Sequence, residues 1–247
     1  MLVFNLFLFL ITVAGGSAPL WLRGLDERKT TYLLAFSGSF LLSITLLHLL
    51  PETFEELHHQ AGLFVLAGFF LQLVIQRVTH GMEHGHVHIQ PGNGDAHHHH
   101  HHFPLASIIL GLSLHAFMEG LPLGFNYRRE ATETSLYLAV AAHKLPETML
   151  LTTLVMSMKG KKKAWMALLL FSLLTPLASI LADVLGKKYF RMSSIVMWMI
   201  PIVAGAFIHI ATTIFFESGT KQHALTWQKL TAILFGVLLG LLTLMFE

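Results

Sequence analysis

The sequence predicts an all-α membrane protein built as a bundle of eight transmembrane helices. Only 12% of the 247 residues are charged and 54% are apolar, against about 25% and about 45–50% in an ordinary soluble domain. The apolar residues also fall in long blocks such as LVFNLFLFLITVAGGSAPLWL, which are long enough to cross a hydrocarbon core of about 30 Å. These observations exclude a water-soluble globular protein.

Eight apolar blocks predict the eight spans. A window of about 20 residues places them near residues 2–22, 32–50, 62–78, 103–125, 134–158, 164–185, 195–216 and 227–246. We interpret the first block as a retained span rather than a secretory signal peptide, because the first basic residue, Arg23, follows the block instead of preceding it.

Basic residues predict how the spans are oriented. The loops after spans 1, 3, 5 and 7 contain nine of them: Arg23, Arg28, Lys29, Arg77, Lys159, Lys161, Lys162, Lys163 and Lys221. The loops on the other side contain five: Arg128, Arg129, Lys187, Lys188 and Arg191. Since cytoplasmic loops are enriched in basic residues, we expect an integral protein of a plasma or inner membrane with both termini outside.

Composition excludes several functional classes. The formal charge is +2 and the basic residues are scattered between spans, so no nucleic-acid partner is expected beside the lipid bilayer. The chain has no cysteine, which excludes disulfides, thiolate metal sites and cysteine nucleophiles. Histidine is abundant instead, with 17 copies.

Residues 80–102 form a low-complexity segment between helices 1–3 (residues 1–79) and helices 4–8 (residues 103–247). The sequence from His80, HGMEHGHVHIQPGNGDAHHHHHHF, contains ten histidines, and we expect a disordered, His-rich cytoplasmic loop. The spaced histidines before the run favour a natural metal-binding tract. An engineered insertion or a plain solvated loop is the alternative.

Spans 4 and 5 contain ionisable residues, which cost at least ~2.5–3.5 kcal/mol each near the centre of a membrane. In span 4, LGLSLHAFMEGLPLG, His115 and Glu119 lie four residues apart on one helical face. Span 5, AVAAHKLPETMLL, repeats this spacing with His143 and Glu147. Two such pairs can bring two imidazoles and two carboxylates to one divalent cation, with zinc, cadmium or ferrous iron preferred to magnesium. Interhelical hydrogen bonds without a metal are the alternative.

These motifs resemble those of the ZIP (Zrt-/Irt-like protein) family of divalent-metal transporters. The similarity lies in HAFMEGLPLG of span 4 and AHKLPE of span 5, with further support from GSFLLSITLLHLLPE of span 2 and AGAFIHIATTIFFE of span 7. The resemblance implies an eight-helix bundle, a homodimer in many members, that carries zinc or a related metal towards the cytoplasm and has no catalytic cofactor. It implies a metal site between spans 4 and 5, with the ligands His115, Glu119, His143 and Glu147.

Three positions depart from the family pattern. Many members hold a second metal through an Asn after the span-4 histidine, an acidic residue after the first span-5 ligand and a Glu before a proline in span 6. Here these positions are Ala116, Lys144 and Thr175. We therefore predict a site for one metal ion, in which Lys144 neutralises part of the charge of the two glutamates. The alternative is that Lys144 points away from the site or follows an aqueous path.

Further polar residues are candidates for the path of the metal. His48 and Glu52 close span 2 on the predicted outer side. A loop without a basic residue follows and forms either an acidic mouth or a plain solvated loop: Glu55, Glu56, His58 and His59. In span 7, His209 and Glu217 are candidates for an exit relay, against a core histidine and a surface carboxylate.

Two other functional classes compete with a transporter. A membrane-anchored metal sensor or storage protein would use the His-rich loop as its functional part. An intramembrane zinc hydrolase would activate water on the metal, but no H-E-x-x-H motif is present, and we do not expect an enzyme. Zinc is the expected cargo, and cadmium, iron or manganese can share such ligands.

Overall fold

The computed structural model describes residues 2–21, 27–79, 105–124, 130–188, 190–217 and 226–246. The predicted His-rich loop at 80–102 lies outside these residues, as do Arg23, Arg128, Arg129 and Lys221. All regular structure in the described part of the chain is helical. The helices are α1 (Leu2–Gly16), α2 (Ala18–Trp21), α3 (Glu27–Ile44), α4 (Leu50–Leu57), α5 (His59–Thr79), α6 (Leu105–Gly124), α7 (Glu130–Lys159), α8 (Lys161–Lys188), α9 (Phe190–Glu217) and α10 (Trp227–Thr243).

Five of the described segments are long and apolar enough to cross a membrane: Leu2–Trp21, Thr31–Leu57, His59–Arg77, Leu105–Gly124 and Lys161–Lys187. Two shorter apolar helices, Trp198–Ile214 and Trp227–Thr243, follow them along the chain. Helix α7 is long but is not among the five, and it contains His143, Lys144 and Glu147. The structure therefore shows an all-helical protein with five candidate spans.

The end of the second predicted span differs from the expectation. A π-helical turn at Thr45–Leu49 joins α3 to α4, so the helix continues to Leu57 instead of ending near Pro51. Pro51 is the second residue of α4 and directly follows the π-helical turn and Leu50. Glu55 and Glu56 are therefore exposed on a helix, and the prediction that they lie in a loop is wrong.

The helices pack in two groups. The first contains α1, α2, α6, α7 and α8, with α6 lying along α8 and α7 contacting both α1 and α8. The second contains α3, α5, α9 and α10, with α5 along α9 and α3 along α10. The groups meet where α3 contacts α7 and where α5 contacts α6, and a large apolar core that includes Phe40, Val140 and Phe207 fills the space between them.

Glycines allow the closest helix pairs to form. A Cβ on Gly120 of α6 would collide with the Thr175 carbonyl of α8, and one on Gly68 of α5 would collide with the Ile202 carbonyl of α9. Backbones approach this closely only where a residue has no side chain, as is common between membrane helices. The α6–α8 contact is important for the site, because α6 carries two of the predicted ligands.

Candidate metal centre

Helices α6 and α7 bring the two predicted ligand pairs together. His115 and Glu119 lie one turn apart on α6, and His143 and Glu147 lie one turn apart on α7. All four side chains are at most 1% exposed. Each helix also contains a proline after its histidine, Pro122 in α6 and Pro146 in α7, and such a break is tolerated in a membrane protein only inside the bundle or beside water.

The polar atoms of these residues converge on one point. His115 Nε2 lies 3.1 Å from Glu119 Oε1 and 3.7 Å from Glu147 Oε1, and His143 Nε2 lies 3.6 Å from Glu119 Oε1. One ligand atom from each of the four residues lies within 4.8 Å of the others. Two imidazoles and two carboxylates in this arrangement match the donor set of a four-coordinate divalent cation.

Two of these buried atoms lack a hydrogen bond. Glu147 Oε1 and His143 Nε2 form none within the described part of the chain. Buried polar atoms are almost always satisfied in a folded protein, so a group of such atoms at one point needs a physical reason. A divalent cation that binds the lone pairs of these atoms would supply that reason.

Lys144 lies inside the same cluster. Its Nζ is 2.5 Å from Glu147 Oε2 and also contacts Glu119 Oε2. Lys144 is 1% exposed. The centroid of the Phe171 ring, on α8, lies 5.2 Å from Lys144 Nζ, which is a cation–π contact. The structure thus places Lys144 at the two carboxylates, as the first of the two sequence interpretations expects, and not away from them.

The other two departures from the family pattern contact each other. The Thr175 hydroxyl of α8 donates a hydrogen bond to the Ala116 carbonyl of α6, at 2.9 Å. Both residues are buried, at 2% and 0% exposure. The two positions therefore form an interhelical hydrogen bond beside His115.

Comparison with protein families agrees with this geometry. The family model described as ZIP zinc transporter matches residues 1–106 and 104–246. The chain belongs to the ZIP zinc transporter family. ZIP members are membrane proteins that transport divalent metals and are not enzymes, so the resemblance stated from the motifs is confirmed. A comparison with curated proteins finds no match for the chain.

The other histidines predicted to line the path in this ZIP protein lie outside the cluster. His209 Nε2 donates to Gln76 Oε1 at 2.6 Å, and its ring stands edge-on to Phe69. His48, in the π-helical turn, contacts the Thr243 hydroxyl at 2.7 Å. Because that hydroxyl already donates to the Gly240 carbonyl, His48 Nε2 is the donor. Hydrogen bonds within the bundle thus account for one ring nitrogen of each.

The two carboxylates on the predicted path have different positions. Glu52 lines a shallow pocket between α4 and α9, with Thr53, Glu56, Leu57 and Ile200. Glu217 is the last residue of α9, and its side chain lies outside the described part of the ZIP chain. Among the described side chains, Glu52 does not belong to the group of four converging residues.

Sequence reasoning missed a polar network near the start of α1. Tyr137 Oη donates to Asn5 Oδ1 at 3.1 Å, and Asn5 Nδ2 donates to Ser179 Oγ at 3.2 Å. These buried contacts connect α1, α7 and α8. A signal was present, since Asn5 interrupts an apolar block, but spacing along one helix does not identify partners on two others.

Proposed function

We propose that this chain moves a divalent metal ion, zinc above all, across a membrane towards the cytoplasm through a site for one ion. The ligands are His115, Glu119, His143 and Glu147. The observation that carries the proposal is the convergence of four buried donors within 4.8 Å. We also propose that α7, α9 and α10 cross the membrane together with the five apolar segments, which gives the eight spans expected from the sequence.

A single ion fits the site better than two. Lys144 brings a positive charge to the carboxylates, and a second cation at this place would meet direct repulsion. Ala116 has no side-chain donor, and the Thr175 hydroxyl is engaged with the Ala116 carbonyl. The three family positions for a second metal therefore offer an ammonium, a methyl group and a neutral hydroxyl, and none of them supplies a negative charge.

The orientation supports import. Nine basic residues lie between or at the ends of the predicted spans on the side that follows odd-numbered spans, and five lie on the other side. On this basis the α7–α8 turn, with exposed Lys161, Lys162 and Lys163 around Gly160, faces the cytoplasm. The α4–α5 end, with its exposed Glu55 and Glu56, then faces the outside and attracts cations.

The function is tested by zinc entry into proteoliposomes that enclose a fluorescent indicator. We choose the double variant His115→Asn, His143→Asn, because it removes both imidazole donors and leaves both carboxylates to balance Lys144. The expected result is a loss of zinc flux of at least ~100-fold, since two of four ligands are gone. Removal of the carboxylates instead would leave the buried ammonium of Lys144 unpaired. A loss of flux could then come from misfolding as well as from the loss of metal ligands.

The matched control is His48→Asn, His209→Asn. These two histidines are also buried, at 4% exposure each, but hydrogen-bond within the bundle, so flux should stay within about threefold of the wild type if the four-residue cluster is the metal site. Equal loss of flux in both double variants would contradict the site. Stoichiometric zinc binding by the wild type without any flux would contradict transport and favour a sensor or storage protein.

A further inference from the structure

The two carboxylates of the cluster use their two oxygens differently. The Oε1 atoms face the histidines, at 3.1 Å and 3.6 Å for Glu119 and at 3.7 Å for Glu147. The Oε2 atoms both contact Lys144 Nζ. In each carboxylate, Oε1 therefore belongs to the group of candidate metal ligands, and Oε2 contacts the ammonium of Lys144.

The ammonium is held in place from several sides. The ring of Phe171 lies behind it at 5.2 Å, and such a contact attracts a buried cation. The lysine backbone is fixed as well, because the Thr148 hydroxyl donates to the Lys144 carbonyl at 2.6 Å. The side chain is only 2% exposed, so little of it is open to solvent. The contact to both Oε2 atoms is thus a fixed feature of the site.

The ammonium takes up a lone pair of each Oε2 atom and holds these oxygens on the side of the carboxylates away from the imidazoles, so it competes with a metal ion for bidentate binding. The site then offers four donor atoms, namely His115 Nε2, His143 Nε2 and one Oε1 from each glutamate. Four nitrogen and oxygen donors suit zinc, which is usually tetrahedral in proteins. Manganese prefers six ligands, mostly oxygens, and gains from bidentate carboxylates.

We propose that Lys144 is the specificity-determining residue of this site: it holds Glu119 and Glu147 to one oxygen each and so favours zinc over manganese. The inference rests on the proposed function and adds a reason for metal selection. Lys144 acts through the two ligands and does not touch the metal, so it is a positioning residue.

The test compares zinc and manganese affinities of the purified full-length chain by competition with an indicator. In Lys144→Met, which keeps an unbranched side chain one heavy atom shorter and removes the charge, both glutamates are free to bind through two oxygens. We expect the zinc-to-manganese affinity ratio to fall at least ~10-fold, the usual size of an effect from a residue that orients ligands. A loss of fold alone would lower both affinities and leave the ratio unchanged.

The matched control is Lys229→Met, because Lys229 is also a buried lysine, 5% exposed, but lies on α10. Its ratio should equal that of the wild type. An unchanged ratio in folded Lys144→Met would overturn the inference, even if zinc transport persists.

A second measurement uses the wild type and does not depend on a variant. X-ray absorption at the zinc and manganese edges should show four nearby nitrogen and oxygen atoms for zinc, and no bidentate carboxylate for either metal. Bidentate binding of either glutamate would overturn the inference while the proposed function stands. A wild type that binds neither metal would overturn both.

Discussion

Replacing Glu119 and Glu147 together by glutamine is expected to destabilise the protein by about 3–5 kcal/mol. The double variant removes both negative charges that contact Lys144 and leaves an ammonium buried at 1% exposure among apolar and neutral groups. Removing one partner of a buried ion pair lowers the free energy of unfolding by more than the intact pair contributes to it. The remaining charge then has neither water nor its partner to stabilise it. The measurement is the thermal unfolding of the detergent-purified protein without metal.

A third substitution should restore the lost stability, and this is the sharper test of the prediction. Adding Lys144→Met to the double variant removes the unpaired charge, so most of the lost stability should return although zinc binding does not. The control is Glu55→Gln, Glu56→Gln, which removes two exposed carboxylates of α4 and should change stability by less than about 1 kcal/mol. A triple variant no more stable than the double variant would show that Lys144 is not neutralised by these glutamates.

Replacing Gly120 by alanine should disable the site without touching a ligand. The added methyl group would meet the Thr175 carbonyl and the Ala178 side chain of α8, and a backbone carbonyl cannot rotate away as a side chain can. Overpacking of this kind costs about 1–3 kcal/mol. Since Gly120 directly follows Glu119, the shift of α6 displaces its ligands relative to those of α7, and we expect zinc affinity to fall at least ~10-fold.

The comparison for this variant is Gly62→Ala, made in α5 at a position where an added Cβ meets nothing within 4 Å. Both changes replace a helical glycine by a better helix former, so any difference between them comes from packing. Affinity measured by zinc titration should be unchanged in Gly62→Ala. Wild-type affinity in Gly120→Ala would mean that α6 and α8 separate without disturbing the ligands.

Much of the site could be predicted from the sequence because its signal is local. His115 and Glu119 are four residues apart, as are His143 and Glu147, and helical periodicity alone puts each pair on one face. Charged residues inside apolar blocks are also conspicuous, since each needs a partner or a function. The structure brings these four side chains together, and the motifs around them match the family that the whole-chain comparison shows.

What could not be predicted depends on neighbours that are distant in the chain. His209 forms a hydrogen bond with Gln76, 133 residues away, and His48 with Thr243, 195 residues away. Periodicity gives the face on which a residue lies but not the helix that covers this face. The ring of Phe171 against Lys144 was missed for the same reason, because an aromatic residue in an apolar span has no distinguishing pattern.

The hydrogen bond from Thr175 to Ala116, together with Lys144, also restricts how such a site can change during evolution. A transition to a second bound metal would need new donors at these three positions. An acidic residue at position 144 first would crowd three carboxylates in a buried space with no cation. A carboxylate at position 175 first would lose the hydrogen bond to the Ala116 carbonyl, because an ionised carboxylate has no proton to donate. If the site holds one ion as proposed, one-metal and two-metal sites are therefore separated by an epistatic barrier, because either substitution alone carries a cost.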